Sequence, residues 1–261
     1  MKGLVVIMKV VILCGGKGMR MHQITENMPK PLVDIGGRPM LWHIMKTYKY
    51  YGFDDFVLLL GYKGEKIKEY FINEKWRNHS FYLDSSKDSI QILDEVDEWK
   101  ITFVDTGLDT MTGGRIKCAQ NFLKGDTFML TYGDGLSDIN LNELLEFHKR
   151  KGKIATVTGI EKKSQYGTLL VENDLAISFN EKEQSIGIIN GGFFVLEPEI
   201  FNYLSDDAQC VFEKEPIINL TKDRELAVYK HDGYWTACDT LSDIIEVNKL
   251  CEQGKDKWKV W

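Results

Sequence analysis

The sequence has few prolines and few cysteines, and both are scattered. Its five prolines occur singly, and no tract rich in Pro, Gly or Ser divides the 261 residues, so the composition indicates neither linkers nor repeats. The odd number of cysteines and the lack of a Cys-x-x-Cys pair argue against a disulfide framework and against a zinc cluster. These cysteines are Cys14, Cys118, Cys210, Cys238 and Cys251. We expect reduced thiols in a cytoplasmic protein.

Long apolar runs and an excess of basic residues are also missing. Lys9 separates the apolar run Leu4–Met8 from Val10–Leu13, which makes the stretch too short for a membrane span. The 33 basic and 39 acidic residues give a net charge of -6 that is spread along the chain. Such a distribution offers no electrostatic footprint for nucleic acid or anionic lipid. An anionic substrate would therefore need a local binding site.

The sequence does contain an alternation of apolar runs and helical patterns. Apolar runs predict strands at Val10–Leu13, Phe56–Leu60, Phe128–Tyr132, Ala155–Thr158 and Phe193–Leu196. Helical spacing predicts helices at Met40–Tyr51, Glu65–Phe71 and Leu141–His148. Alternation of this kind predicts an α/β fold, with a Rossmann-like, mostly parallel mixed sheet and helices on both faces. The hydrophobic content of 43% suffices for a sizeable core, and we predict one continuous domain over residues 1–261.

The C-terminal segment has a different pattern. Its apolar spacing predicts an amphipathic helix over Leu241–Gln253, followed by a basic tail within residues 241–261. The tail carries Trp258 and Trp261, which we expect to pack against this chain or against a sister subunit rather than to bind a ligand.

A glycine-rich segment follows the first predicted strand. Gly15, Gly16 and Gly18 leave backbone N–H groups free of side-chain bulk, which suits a polyphosphate. Arg20 offers a planar fork and Lys30 a point charge, and together they can hold a triphosphate and stabilise departing pyrophosphate. The spacing matches neither a Walker A loop nor the G-x-G-x-x-G dinucleotide motif. For the glycines alone, an ordinary turn flanked by solvated cations is an alternative.

An aspartate follows another predicted strand. Asp134 comes just after Phe128–Tyr132, and parallel sheets bind ligands at the carboxyl ends of their strands. Magnesium needs only one or two protein carboxylates in addition to substrate phosphates. We therefore predict that Asp134 is a magnesium ligand, together with a second aspartate from elsewhere in the chain. A turn aspartate that caps the next segment is the alternative.

Several segments resemble the sugar nucleotidyltransferases. The family signature is a G-G-x-G-T-R-L loop, then P-K-P, then a G-x-P helix start, and the last two correspond to residues 29–31 and 37–39. The sequences DTG at 105–107 and TMTGGR at 110–115 look more narrowly like the glucose-1-phosphate cytidylyltransferases. The resemblance runs from about Lys9 to Trp261.

This resemblance implies a reaction. CMP would pass from CTP to a sugar 1-phosphate, most simply α-D-glucose 1-phosphate, to give CDP-glucose and pyrophosphate with Mg²⁺ as the cofactor. The implied partners are these two substrates and further copies of the chain in a homo-oligomer, without nucleic acid or membrane. It also implies a sugar-binding lobe at about residues 155–235.

The resemblance further implies a role for individual residues. Catalysis would depend on Arg20, Lys30 and Asp134, and the metal would be held by Asp134 and Asp239. The nucleotide site would comprise Gly15, Gly16, Gly18, Arg20, Lys30, Thr112, Gly113 and Arg115. The sugar site would comprise Tyr166, Gly167, Glu181, Lys182 and Asn190. As alternatives, Asp239 would be a helix N-cap, and residues 112–115 would be a plain loop that leads into a helix.

The chain departs from the family pattern at four positions. Met19 replaces a threonine, Met21 a leucine, Gln165 an arginine and Glu183 a proline. Two of these changes remove a hydroxyl and a cation from the neighbourhood of phosphates. They motivate the hypothesis that the acceptor is another phosphorylated sugar or polyol.

Three further interpretations compete with the cytidylyltransferase. The first is a uridylyl- or thymidylyltransferase, which would catalyse the same reaction with UTP or dTTP in place of CTP. A non-catalytic nucleotide-binding protein would keep the pocket without turnover. A dinucleotide-dependent oxidoreductase would need a glycine spacing that the loop lacks.

Overall fold

A mixed β-sheet with helices on both faces organises the chain. The computed structural model describes residues 8–21, 25–123, 125–163, 168–180 and 186–261. The strands are β1 (Lys9–Cys14), β2 (Asp34–Ile35), β3 (Arg38–Pro39), β4 (Asp55–Leu60), β5 (Phe81–Asp84), β6 (Ser89–Ile92), β7 (Lys100–Asp105), β8 (Phe128–Tyr132), β9 (Gly135–Ser137), β10 (Ala155–Lys163), β11 (Thr168–Glu172), β12 (Leu175–Asn180), β13 (Ile186–Asn190), β14 (Phe194–Leu196), β15 (Leu226–His231) and β16 (Trp235–Ala237). The α-helices are α1 (Met40–Tyr50), α2 (Gly64–Arg77), α3 (Thr112–Cys118), α4 (Gln120–Leu123), α5 (Leu141–Lys151), α6 (Glu215–Lys222) and α7 (Leu241–Glu252).

The central sheet has a parallel half and a largely antiparallel half. Within the described ranges it holds ten strands in the order β13-β11-β12-β15-β10-β14-β8-β1-β4-β7. Strand β1 pairs in parallel with β4 and β8, and β4 pairs in parallel with β7. Beyond β14, only the pair β10–β15 is parallel among the described pairings. The parallel half therefore collects the carboxyl ends of β1, β4, β7 and β8 at one edge.

The two faces of β1 enter different hydrophobic cores. Val10 and Ile12 belong to the core that contains the apolar face of α1, and Val11 and Leu13 belong to the core that contains residues of α3 and α6. Successive side chains of a strand point to opposite faces, so a strand that is apolar throughout needs cover on both sides. This explains why the run Val10–Leu13 forms a central strand rather than an edge.

The elements expected from periodicity are present, with shifted ends. Val10–Leu13 lies in β1, and β8 has the bounds expected for it, whereas β14 begins one residue late because Phe193 has a left-handed φ of 47°. Helix α2 continues six residues beyond its expected end, to Arg77. The division into one domain with a lobe at 155–235 stays a prediction.

The C-terminal tail packs on the chain itself. Trp258 is fully buried, and its indole Nε1 donates to Nδ1 of His43 in α1 at 3.3 Å. Trp261 packs edge-to-face on Trp42 with a centroid separation of 6.0 Å. The intramolecular version of the expected packing is therefore observed for both tryptophans.

None of the helices in the described ranges combines the length and the apolar character needed to cross a bilayer.

Candidate active site

A cavity opens at the carboxyl ends of β1 and β8. Its volume is about 510 Å³, within the range of roughly 300–1,000 Å³ that is usual for small-molecule sites. It is lined by residues 13–19, Lys30, Pro31, residues 108–112, Arg115 and residues 132–134. The fold thus brings the glycine loop, the P-K-P segment and Asp134 around one cavity, although they are separated by up to about 120 residues along the chain.

The glycine loop needs its glycines for close approach and for its turn. A Cβ on Gly15 would lie 2.2 Å from a guanidinium nitrogen of Arg115, and Gly18 has a φ of +61° that side-chain-bearing residues rarely adopt. Gly16 has no neighbour within 4 Å of the position of a Cβ and lines the cavity. The loop therefore rests on Arg115 beneath and leaves its upper surface open to a ligand.

Arg115 supports this loop and also lines the cavity. Its guanidinium donates to the carbonyl oxygens of Leu60 at 3.1 Å, Gly107 at 2.8 Å, Gly15 at 3.0 Å and Leu108 at 3.3 Å, and the side chain is buried. The fork is therefore held in place by protein oxygens. The nucleotide contact that the resemblance implies for Arg115 stays a prediction.

A charged cluster adjoins the cavity, which two of its three residues line. We use this name for Lys30, Asp134 and Asp239. Lys30 Nζ donates to Oδ2 of Asp134 at 2.7 Å and to Oδ1 of Asp239 at 2.6 Å, and its side chain is only 12% exposed. Burial lowers the pKa of Lys30, but the charges of Asp134 and Asp239 outweigh it, so the pKa lies above its usual value. The ammonium group is therefore charged at neutral pH.

Strand pairing brings the two aspartates together. Asp134 precedes β9, and Asp239 follows β16; these strands are antiparallel, with Gly135 opposite Ala237. The amide of Cys238 also donates to the carbonyl of Asp134 at 2.9 Å. Because antiparallel strands place the start of one beside the end of the other, these two residues lie close together although they are about 100 residues apart in sequence.

Asp239 does not cap the helix that follows it. Thr240 is the N-cap of α7, and its side chain forms a capping box with Asp243. The N-cap alternative for Asp239 is therefore wrong. Its carboxylate instead accepts the hydrogen bond from Lys30.

The two carboxylates fit a magnesium ion. Their oxygens converge on one cationic nitrogen, and carboxylate oxygens are the donors that Mg²⁺ prefers. The described part of the chain offers no group of three or more acidic, histidine or cysteine side chains for a metal. A two-carboxylate site suits an ion whose remaining ligands are water and substrate phosphates.

A second set of polar residues forms a continuous chain of hydrogen bonds. We call Thr112, Glu213, Tyr132 and Asn190 the polar chain. Thr112 Oγ1 donates to Glu213 Oε2 at 2.6 Å, Tyr132 OH donates to Glu213 Oε1 at 2.7 Å, and Asn190 Nδ2 donates to Tyr132 OH at 3.2 Å. Burial raises the pKa of Tyr132 well above its usual value, and the charge of Glu213 adds to this effect. The phenol therefore keeps its proton.

The polar chain connects the two substrate sites implied by the resemblance. Thr112 belongs to the implied nucleotide site and lines the cavity, whereas Asn190 belongs to the implied sugar site. Gly113 is buried, and a Cβ on it would lie 2.5 Å from Cys210 Sγ. It therefore serves the packing of α3 against residue 210 and is not part of the cavity wall. Residues 112–115 form the start of α3, so the plain-loop alternative is also wrong.

Some residues of the predicted site lie outside the described part of the structure. The side chain of Arg20 is one of them. Tyr166, Gly167, Glu181 and Lys182, together with the departures Gln165 and Glu183, are the others. Met19 is described, lines the cavity and is 79% exposed.

Tyr132, Glu213, Leu108 and Asp109 were not predicted as site residues from the sequence. Tyr132 had a local signal, since it ends the strand that leads to Asp134. Glu213 had none, because it lies about 100 residues from Thr112 and in a segment without a recognisable motif. Only the packing of this segment against α3 reveals it.

The two thiols near the charged cluster are not activated. Cys14 is buried, and burial together with the charge of Asp134 raises the pKa of its thiol far above the usual value. Burial and the same aspartate raise the pKa of Cys238 to about 12. Neither thiol is a thiolate at neutral pH, which argues against nucleophilic catalysis by cysteine.

Comparison with known proteins agrees with this geometry. A family model described as "Nucleotidyl transferase" matches residues 9–254. A protein of Bacillus subtilis (strain 168) named "Probable glucose-1-phosphate cytidylyltransferase" is 58% identical over 254 residues, which is 97% of this chain and 100% of the relative. The glucose-1-phosphate cytidylyltransferase of Salmonella typhi is 41% identical over 257 residues, and the match covers 97% of this chain and 100% of the relative.

A solved structure supports the fold, and only the fold. The crystal structure of apo UDP-glucose pyrophosphorylase superposes with a TM-score of 0.74 at 16% identity, and the match covers 95% of this chain and 99% of that chain. The Rossmann-like mixed sheet is thereby confirmed, as is the resemblance to glucose-1-phosphate cytidylyltransferases. Because the family model spans most of the sequence and two relatives match it over nearly its full length, this chain belongs to the nucleotidyl transferase family.

Proposed function

We propose that this chain transfers CMP from CTP to α-D-glucose 1-phosphate and releases CDP-glucose and pyrophosphate. The observation that supports this most strongly is the charged cluster, two of whose residues line the same cavity as the glycine loop. A site of this kind suits a triphosphate together with its metal ion, because it combines an open backbone surface, a fixed cation and two carboxylates that could hold Mg²⁺. The names of the two relatives supply the base and the sugar.

The reaction needs no nucleophile from the protein. An oxygen of the sugar phosphate attacks the α-phosphorus of CTP, a new P–O bond forms, and the bond to the β-phosphate oxygen breaks as pyrophosphate leaves. The attacking phosphate is already ionised, so the enzyme has to align two anions and reduce their repulsion. The protonated thiols of Cys14 and Cys238 are consistent with direct transfer.

Lys30 supplies positive charge at the site of transfer. Its pKa is raised, so the ammonium stays charged across the neutral range, and it lies at the cavity wall where phosphate oxygens would be bound. Asp134 and Asp239 would hold Mg²⁺. When bound, the ion would neutralise phosphate charge and stabilise the departing pyrophosphate. Arg20 and Lys182 would contribute further cations, in line with the family resemblance.

The first experiment follows pyrophosphate release from CTP and glucose 1-phosphate with and without Mg²⁺. We expect release that depends on both substrates and on the metal, with CDP-glucose identified by mass spectrometry. Asp134→Ala should abolish it, and Asp223→Ala, which changes an exposed carboxylate beyond α6, should not. Absence of release with wild-type protein under these conditions would refute the proposal.

Panels of substrates test the remaining alternatives. Comparison of CTP, UTP and dTTP with one acceptor distinguishes the bases, and comparison of glucose 1-phosphate with other sugar and polyol phosphates by kcat/KM tests the hypothesis that Met19 motivates. A homo-oligomer and a cytoplasmic location stay predictions, and a sizing experiment checks the first of them.

A further inference from the structure

Glu213 is the centre of the polar chain and uses both of its carboxylate oxygens. One oxygen accepts from Thr112 and the other from Tyr132. The side chain is half-buried, and it comes from the segment that precedes α6 and packs against the start of α3. Thr112 and Tyr132 both line the cavity, whereas Glu213 stands behind them. Glu213 therefore acts on the cavity through two hydroxyl groups.

The hydrogen-bonding capacity of the Thr112 hydroxyl is almost fully used. A hydroxyl has one proton to donate and two lone pairs that accept. Thr112 Oγ1 gives its proton to Glu213 at 2.6 Å, because an ionised carboxylate can only accept, and it accepts from the amide N–H of Phe212 at 2.9 Å. One lone pair remains. Toward the cavity, this hydroxyl can therefore act only as an acceptor.

An acceptor at this position distinguishes pyrimidine bases. Cytosine carries a 4-amino group, which donates, and uracil and thymine carry a 4-oxo group, which accepts. An acceptor-only hydroxyl pairs with the amino group and leaves a 4-oxo oxygen facing a lone pair, without a hydrogen bond. A hydroxyl that was free to rotate would accept from one base and donate to the other.

We propose that Glu213 sets the preference for cytosine over uracil, by holding the Thr112 hydroxyl as an acceptor toward the nucleotide. Glu213 is thus a positioning residue for selectivity. This inference rests on the proposed function and adds to it a residue that touches neither substrate.

The other arm of Glu213 provides an internal control. The Tyr132 hydroxyl donates to Glu213 and accepts from Asn190, and Asn190 Oδ1 accepts from the amide of Gly192 at 2.9 Å. This arm leads toward the implied sugar site. Loss of the Tyr132 hydroxyl leaves the bond between Thr112 and Glu213 intact, so Tyr132→Phe should leave base selectivity unchanged even where it changes turnover.

The experiment measures kcat/KM for CTP and for UTP with glucose 1-phosphate as the acceptor. Glu213→Met removes both acceptor oxygens at similar length and frees the Thr112 proton to turn into the cavity. We expect the CTP/UTP ratio to fall about tenfold, the effect of one mismatched hydrogen bond. Glu215→Met, the same change at an exposed carboxylate two residues further on, should leave the ratio unchanged.

A pair of substitutions at Thr112 tests the same step independently of Glu213. Thr112→Ser keeps the hydroxyl and should keep the ratio, whereas Thr112→Val removes it and should lower the ratio. Calorimetric affinities for CDP and UDP repeat the comparison without turnover, so a loss of catalysis cannot conceal the result.

The possible outcomes separate the inference from the proposed function. Turnover of CTP by wild-type protein supports the function whatever the variants do. If folded Glu213→Met and Thr112→Val proteins keep the wild-type preference, Glu213 does not set selectivity and the inference is overturned. A wild-type protein that uses CTP and UTP equally would also overturn it, while leaving the nucleotidyl transfer in place.

Discussion

The charged cluster and the polar chain each contribute two residues to the lining of the same cavity but use their polar groups differently. In the charged cluster, one ammonium group faces two carboxylates, and their interaction is ionic and non-selective toward the phosphate that approaches it. In the polar chain, a single carboxylate accepts hydrogen bonds from two neutral hydroxyls, so the Thr112 hydroxyl has only a lone pair left for the ligand. The comparison suggests that the first region provides rate and the second provides discrimination.

The largest expected effect comes from removing the cation of the charged cluster. Lys30→Met leaves Asp134 and Asp239 without their shared partner, and two carboxylates then repel an incoming triphosphate. We expect kcat to fall by about 10²–10³-fold, the usual effect of losing one group that stabilises transition-state charge. Pyrophosphate release under saturating substrates measures it.

A second lysine–aspartate pair serves as the matched control for this variant. Lys46 in α1 forms an ion pair with Asp97, away from the residues that line the cavity. Lys46→Met should keep kcat within a few-fold of wild type. A Lys30→Met protein with near-normal kcat would show that the charged cluster does not determine the rate of transfer, and the contrast with the polar chain would be lost.

An intermediate effect is expected at Arg115, which lies in α3 together with Thr112 of the polar chain. Its guanidinium donates to the carbonyl oxygen of Gly15 in the glycine loop. Arg115→Lys loses the fork and leaves several buried carbonyl oxygens without a donor. We expect a loss of about 2–4 kcal/mol in the free energy of unfolding, measured by urea denaturation, and a rise in KM for CTP.

The exposed Arg150 in α5 offers a control for the same exchange. Arg150→Lys should change the free energy of unfolding by less than about 0.5 kcal/mol. If Arg115→Lys is as stable as Arg150→Lys, the guanidinium does not support the glycine loop.

The smallest expected effect lies outside both regions and depends on pH. Burial lowers the pKa of His43 to about 4, from an ordinary value of 6.5. The unfolded chain therefore takes up the proton first as pH falls, so the stability is complete above about pH 6.5 and is lost toward pH 4. Protonation would also place a second donor against the Trp258 N–H, which now donates to Nδ1 of His43.

This pH dependence can be measured by comparing two proteins. When the pH falls from 7.5 to 5, protonation of His43 in the unfolded chain should lower the free energy of unfolding of the wild-type protein by about 2 kcal/mol. Over the same interval, the free energy of unfolding of His43→Gln should fall by about 2 kcal/mol less than that of the wild type. Parallel losses in both proteins would show that acid destabilisation arises elsewhere, for example in one of the two regions compared above.

Several features could be predicted from the sequence because they depend on neighbours along the chain. The apolar run Val10–Leu13 predicted a central strand, and the spacing of apolar residues predicted α1 and α7 to within a residue or so. The glycine loop and Lys30 were recognisable from local motifs. In contrast, the motif that contains Arg115 shows which residue is present but not that its guanidinium donates to the carbonyl oxygens of Leu60 and Gly15.

Local patterns were enough to predict the alternation of strands and helices, the position of the glycine loop and the family. Hydrophobic periodicity and short motifs involve only a few neighbouring residues, so they can be recognised directly in the sequence. The contact of Asp134 with Asp239 through the β9–β16 pairing, and the position of Glu213 behind Thr112, arise only when the chain folds. These contacts join segments about 100 residues apart, and their geometry depends on strand pairing and packing that no local pattern specifies.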